Sequence, residues 1–246
     1  MRKLTSIVIL LVLWQLLIIM FGHNALLPSP LEIINAFNES YQRGHILIHI
    51  LTSLQRVSAG FMLASFVGIT LALALGYFEK IGSYIEPIIE LFRPVPPIAW
   101  IPIAILLFGL GNASAYFIVF LGAFFPIFTN TYFGAMSLPK IYINISRSFE
   151  VSRVIFLRKI LFYFCLPYIF AGLKIGMGMA WMSVIAAELI GAQSGLGYFI
   201  QINRLLLRTD NIVLGMILIG LIGYVLVRII TYVEYRSMPW LQKKYD

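Results

Sequence analysis

Of the 246 residues, 61% are hydrophobic and only 11% are charged, and the mean hydropathy is +0.93. Soluble domains run near half apolar and a quarter charged, so this composition excludes a soluble domain and indicates an all-α, polytopic membrane protein. The formal charge of +8 would suit nucleic acid, but the basic residues are parcelled into short segments beside apolar runs. That is the positive-inside pattern, so the expected partner is the lipid bilayer and nucleic acid is set aside.

One transmembrane domain over 1–246 is expected at this length. Met1-Arg2-Lys3 precede an apolar run from Ile7 to Phe21. The run is long for a secretory leader and no small-x-small cleavage site clearly follows, so it reads as a first span with a cytoplasmic N-terminus. Gly22 to His49 is polar and amphipathic, with Pro28 and Pro30 as breakers, and should lie outside the membrane with a short helix over Pro30–Tyr41. His45 and His49 stand four apart, a spacing that could suit a metal, but no third ligand of the right type lies nearby, so they read as interfacial histidines.

The second span is predicted over Val57–Tyr77, with Arg56 at its outer edge, and Phe78–Arg93 reads as a cytoplasmic amphipathic connector. Pro94, Pro96, Pro97 and Pro102 open a third span that runs to Leu110. Each proline lacks an N–H and pushes its predecessor out of the α region. Irregular backbone at membrane depth needs a cover of protein or water, so this segment is expected inside the bundle. Gly111-Asn112 reads as an outer turn. Further spans follow over Ala115–Ala135, Pro167–Ile190 and Ile212–Val233, with an outer segment over Gly191–Asn211. This arrangement gives about six spans with both termini cytoplasmic. It places twelve Lys and Arg on the cytoplasmic side and four, Arg43, Arg56, Arg204 and Arg208, outside.

The long polar interruption from Pro139 to Lys159 carries five of the eighteen basic residues: Lys140, Arg147, Arg153, Arg158 and Lys159. A basic loop between spans stays cytoplasmic and offers a surface to a cytoplasmic partner. Its sequence Asn144-Ile145-Ser146-Arg147-Ser148-Phe149-Glu150-Val151-Ser152-Arg153, then Leu166-Pro167, Gly172-Leu173-Lys174 and Ala180-Trp181, resembles the coupling loop and following helix of ABC-importer permeases. Leu27-Pro28-Ser29-Pro30, Arg93 to Pro102, Gly122 to Pro126, Ala187 to Ala192, Ser194 to Tyr198 and Arg208-Thr209-Asp210 are similar to the nitrate/taurine/aliphatic-sulfonate branch. The chain departs from the family at two places. The family's Glu-Ala-Ala falls on Asn144, Ile145 and Ser146, and its loop glycine falls on Glu150.

The resemblance implies the transmembrane subunit of an ATP-driven importer in a prokaryotic inner membrane. It implies a homodimer, two cytoplasmic ATPase subunits docked on the loop at about 139–160, and an extracytoplasmic binding protein that delivers a small solute. That solute would be sulfonate-, taurine- or nitrate-like, or a vitamin precursor. ATP and Mg would bind the partner ATPase, with no cofactor on this chain. The residues agree that the chain is a conduit and not an enzyme. It has no Gly-x-x-x-x-Gly-Lys loop, and all three histidines fall in the first 49 residues. A lipid-modifying membrane enzyme is the alternative reading and would need clustered carboxylates or a Ser-His pair in the spans. A self-sufficient secondary transporter would show inverted repeats. The lone Cys165 reads as a small buried hydrophobe.

On the fifth span Gly172, Gly176, Ala180, Ser183 and Ala187 fall within about 80° of one another, a packing face for a neighbouring helix. Lys174, Trp181 and Glu188 share the opposite face. Lys174 and Glu188 lie about 21 Å apart along the axis, too far to pair, and are read as the two ends of a translocation pathway.

Overall fold

The computed structural model describes residues 28–42 and 44–242, together with scattered positions between Ile9 and Met20. The expected first span lies almost wholly outside the described residues, as do Leu27, Arg43, Lys243 and Lys244. Among the described residues the structure is helical, without strands.

Helix α1, Pro30–Gln42, begins with reciprocal caps: Ser29 N–H donates to Glu32 Oε2 at 2.6 Å and Glu32 N–H donates to Ser29 Oγ at 3.3 Å. Ser-Pro-Leu-Glu is a capping box with proline at the first helical position, where its missing N–H costs nothing. Helix α2 covers His45–Tyr77, so Arg56 lies eleven residues inside it and not at its edge. Helix α3, Glu79–Phe92, leads through Arg93–Pro96 into a 3₁₀ turn, Pro97–Trp100, and helix α4, Ile101–Phe108. Helix α5 is Asn112–Met136, α6 is Lys140–Ser148 and α7 is Arg153–Gly191. Helix α8, Leu196–Leu205, and helix α9, Thr209–Ser237, complete the bundle.

Among the described residues, four helices are long and apolar enough to cross a membrane: α2, α5, α7 and α9. The α3 and Pro97–Phe108 pair, bent by 85°, can make a fifth. The expected third span is therefore one short arm of an elbow, whose other arm is α3, the stretch expected as a cytoplasmic connector. Its prolines are also not inside the bundle of one chain, because Arg93, Pro94, Val95 and Pro96 are all exposed. Four prolines so close together end α3 and prevent a long regular helix from starting, and the short α4 that follows covers too little to bury the turn.

The core is a three-helix packing of α2, α5 and α7, and small residues at four-residue spacing build it. Gly60, Ala64, Gly68, Ala72 and Gly76 form one buried ridge along α2. Ala115, Val119, Ala123, Ile127, Thr131 and Ala135 form its counterpart on α5. Gly60 lies against Val119, Gly68 against Ile127 and Gly76 against Ala135, so the two helices run parallel. A Cβ at Gly60 would stand 2.6 Å from that of Val119. Ridges of this i, i+4 type interdigitate at close range, and in a membrane dispersion between such surfaces replaces the hydrophobic drive. Helix α7 packs antiparallel on α5, with Gly172 and Gly176 against Ile127, Ser183 against Gly122 and Tyr168 against Gly134. Helix α7 extends past the expected start at Pro167. It begins at Arg153, passes through a π-helical turn over Phe156–Leu161 and carries Pro167 within it.

Candidate functional site: an exposed basic helix and a buried ion pair

Helix α6 follows Pro139, whose fixed φ sets the helix entrance. It ends in a Schellman motif: Val151 N–H donates to Ser146 O at 2.9 Å and Glu150 N–H donates to Arg147 O at 3.0 Å. The residue that closes such a motif takes the left-handed conformation, normally as glycine, and here Glu150 sits there at φ 49. The family's loop glycine is therefore replaced without loss of the turn. Ser152 then caps the start of α7, its Oγ accepting from Ile155 N–H at 3.5 Å.

Only one side of α6 faces the protein. Ser146 is buried and its Oγ donates to Tyr142 O at 2.7 Å. Val151 is half-buried, and Ile143 and Val151 pack on a cluster of Ala135, Leu138, Phe156, Leu161, Cys165 and Ile169. Leu166 lies in the main core and Pro167 is half-buried beside it. The other side is open. Asn144, Arg147, Ser148, Glu150, Ser152 and Arg153 are exposed, and so are Ile145 at 48% and Phe149 at 79%. Ile141, Ile145 and Phe149 are spaced by four and form an apolar stripe on that open side.

The small residues Gly172, Gly176, Ala180, Ser183 and Ala187 are all buried on α7. The opposite face is also occupied. Lys174 Nζ pairs with Glu234 of α9 at 2.8 Å, half-buried. Trp181 Nε1 donates to Ile219 O at 2.9 Å, with its ring against Gly223. Glu188 is 1% exposed and pairs with Arg56, itself 3% exposed, at 3.0 Å. The three residues thus reach three different sets of partners and do not converge on one cavity.

The Glu188 carboxylate is wrapped on every side. Ser53 Oγ lies 2.8 Å from each oxygen, and Gly197 N–H donates to Oε2 at 3.0 Å. Arg56 is equally bound: it donates to Asn112 Oδ1 at 2.8 Å, to Ser194 O at 2.6 Å and to Ser194 Oγ at 3.1 Å. Leu196 N–H donates to Ser53 Oγ at 2.9 Å, and Gly195 N–H donates to His49 Nδ1 at 3.1 Å. Gly195 sits at φ +107, and a side chain there would enter the Glu188 carboxylate. A Cβ at Gly197 would stand 2.7 Å from that of Glu188. The Ser194-Gly195-Leu196-Gly197 stretch is the cradle that lets backbone approach the acid. Buried charges persist only when paired and hydrogen-bonded, and this pair is both. It joins α2, the start of α5, the end of α7 and the loop into α8.

Helical spacing separates Glu188 from the small-residue face of α7, but it gives no sign of Ser53, Arg56, Asn112, Ser194, Gly195 and Gly197 around it. No periodicity links Arg56 to Glu188 across 132 positions. The available signal was Arg56 itself, an arginine in an otherwise uncharged apolar run, which demands a partner.

Residues 60–238 match the family of binding-protein-dependent transport system inner membrane components, and the chain belongs to that family. It is the permease subunit of an ABC importer, a multi-pass inner-membrane protein and not an enzyme, with ATP hydrolysed by a separate subunit. Among its relatives is a putative ABC transporter permease of Methanocaldococcus jannaschii, 38% identical over 93% of this chain and 88% of the relative. The nitrate import permease NrtB of Synechocystis is 37% identical over 98% of this chain and 90% of its own length. The taurine transport permease TauC of Escherichia coli is 30% identical, covering 96% and 88%. In fold the chain is similar to an inward-facing MetNI methionine ABC transporter, with TM-score 0.55 and 20% identity over 76% of this chain and 97% of that one.

Proposed function

We propose that this permease works as a homodimer with two ATPase subunits seated on α6, and that it carries a small anionic or zwitterionic solute. Nitrate and sulfonates such as taurine are the class suggested by its named relatives. The observation that carries the docking reading is the open apolar stripe Ile141–Ile145–Phe149, flanked by Arg147 and Arg153. An apolar stripe outside the membrane is costly unless a partner covers it. Orientation follows from the same loop: five cations keep it cytoplasmic, which places the Glu188 end outside, toward an extracytoplasmic binding protein. ATP and Mg bind the ATPases.

The exposed elbow at Arg93–Pro96 supports the homodimer. Its irregular backbone joins two apolar helices, and α4 exposes Leu106, Leu107 and Phe108. Such backbone is tolerated in a membrane only under protein or beside water, and a second copy supplies either. Lys174, Trp181 and Glu188 act on the pathway through the position of α7, because each is already bonded within the subunit.

The test is site-specific crosslinking. Cys165 is the sole native cysteine and is buried, so background labelling is low. Cysteines at Ser148 and Phe149 should crosslink to the co-expressed ATPase, and cysteine at Leu206, exposed at the opposite end, should not. Equal crosslinking from both ends would overturn the docking and the orientation together.

A further inference from the structure

Between α6 and the junction of α2 with α3 lies a cleft of about 630 Å³, within the range of ligand pockets. Its floor is apolar and is made where two spans end: Gly76 and Tyr77 of α2, Ala135 and Met136 of α5. Its rim carries Lys80, Arg147 and Arg153 against one lining carboxylate, Glu79. Among the described residues none of these three cations has an ion pair.

We propose that this cleft seats an anionic phospholipid, its phosphate held by Arg147, Arg153 and Lys80 and an acyl chain lying on the apolar floor. The argument rests on charge and depth. Guanidinium groups bind phosphate oxygens with charge-assisted, often bidentate, hydrogen bonds. Basic pockets beside spanning helices take anionic headgroups. The floor selects between occupants: a peptide would bring unpaired N–H and C=O groups onto an apolar surface, whereas an acyl chain needs no hydrogen bonds there. One wall belongs to α6 and the other to the α2–α3 junction, so the lipid bridges the coupling helix to the membrane core. Assignment to the cytoplasmic leaflet rests on the orientation proposed above, but lipid binding does not.

The full chain, purified in neutral detergent, would be titrated with phosphatidylglycerol and with phosphatidylcholine of the same acyl chains, and bound lipid read by native mass spectrometry. Phosphatidylglycerol should be retained about tenfold over phosphatidylcholine. Lys80→Gln, Arg147→Gln and Arg153→Gln should each cut the preference about fivefold, and Glu79→Gln should raise it. Arg204→Gln, an exposed change on α8, should leave it alone. Excess inorganic phosphate should not displace the lipid, since phosphate lacks the acyl chain, and displacement would make this a free-anion site and overturn the lipid. Equal retention of both lipids would overturn the proposal. So would a triple variant that keeps the preference yet loses the ATPase, which would make the rim a protein-docking patch.

Discussion

The two ends of the bundle handle charge in opposite ways. At the Glu188 end a buried carboxylate and a buried arginine bond to each other and to Ser53, Asn112, Ser194 and Gly197, all within one chain. At the α6 end Arg147 and Arg153 are exposed and unpaired among the described residues, beside an uncovered apolar stripe. The first arrangement fixes helices of one chain to one another. The second is incomplete until something else arrives. Similar residue types thus do different work according to burial alone: a desolvated arginine must be satisfied at once, and a solvated one can wait for a partner.

The strongest way to break the contrast is to remove half of the buried pair. Glu188→Ala leaves Arg56 as an uncompensated buried charge and should lower stability by about 3–5 kcal/mol, read by thermal unfolding in detergent. The double variant Arg56→Met with Glu188→Met should recover much of that loss. If it is no better than the single change, the pair is not coupled and the account of this end is wrong. Gly195→Ala attacks the same carboxylate from the loop, combining a left-handed backbone with a side chain in the cradle, and should cost about 1–3 kcal/mol by the same measurement.

The α6 end should respond in the opposite sense. Glu150→Gly relieves a left-handed non-glycine residue and should stabilise the chain by about 1 kcal/mol, a small upward shift of the unfolding midpoint. A fall in the midpoint would mean that the Glu150 side chain has a bond that matters more than the strain. Phe149→Ala should change stability by less than about 0.5 kcal/mol, since its side chain is exposed, yet sharply reduce ATPase co-purification. Loss of both together would show that Phe149 packs within the subunit, and the distinction between the ends would fail there.

Much of this was legible in the sequence. The apolar runs located α2, α5, α7 and α9, and the face of small residues on α7 could be read at helical spacing because packing there depends on local repeats. Glu150 could be singled out because the family's glycine marks a backbone conformation, and the structure places the residue in that conformation. Long-range pairing was not legible. Arg56 sat in the sequence as an outer-edge marker because its partner is far along the chain, and because α2 starts at His45, well before the expected Val57. The elbow escaped for a related reason: prolines announce that a helix stops, but not which way the chain turns next or what it then faces.

The continuity of α7 has a mechanical consequence. At 1.5 Å per residue its 39 residues make a rod about 58 Å long, with Arg153 at one tip and Glu188 near the other. The close approach of Gly172 and Gly176 to Ile127 is a natural pivot. From the middle of that pivot, level with Lys174, the arm to Arg153 is about 31 Å and the arm to Glu188 about 21 Å. A rod held there moves its two tips in opposite directions, in the ratio of its arms. A displacement of about 3 Å at Arg153 would therefore carry Glu188 about 2 Å the other way, if the π-helical turn and Pro167 do not absorb it. Hydrogen bonds of 2.8 to 3.0 Å, such as those from Ser53 and Arg56 to Glu188, do not survive such a shift unless α2 moves too. Leverage of this kind would make the buried pair the far end of a mechanical linkage that starts beside α6.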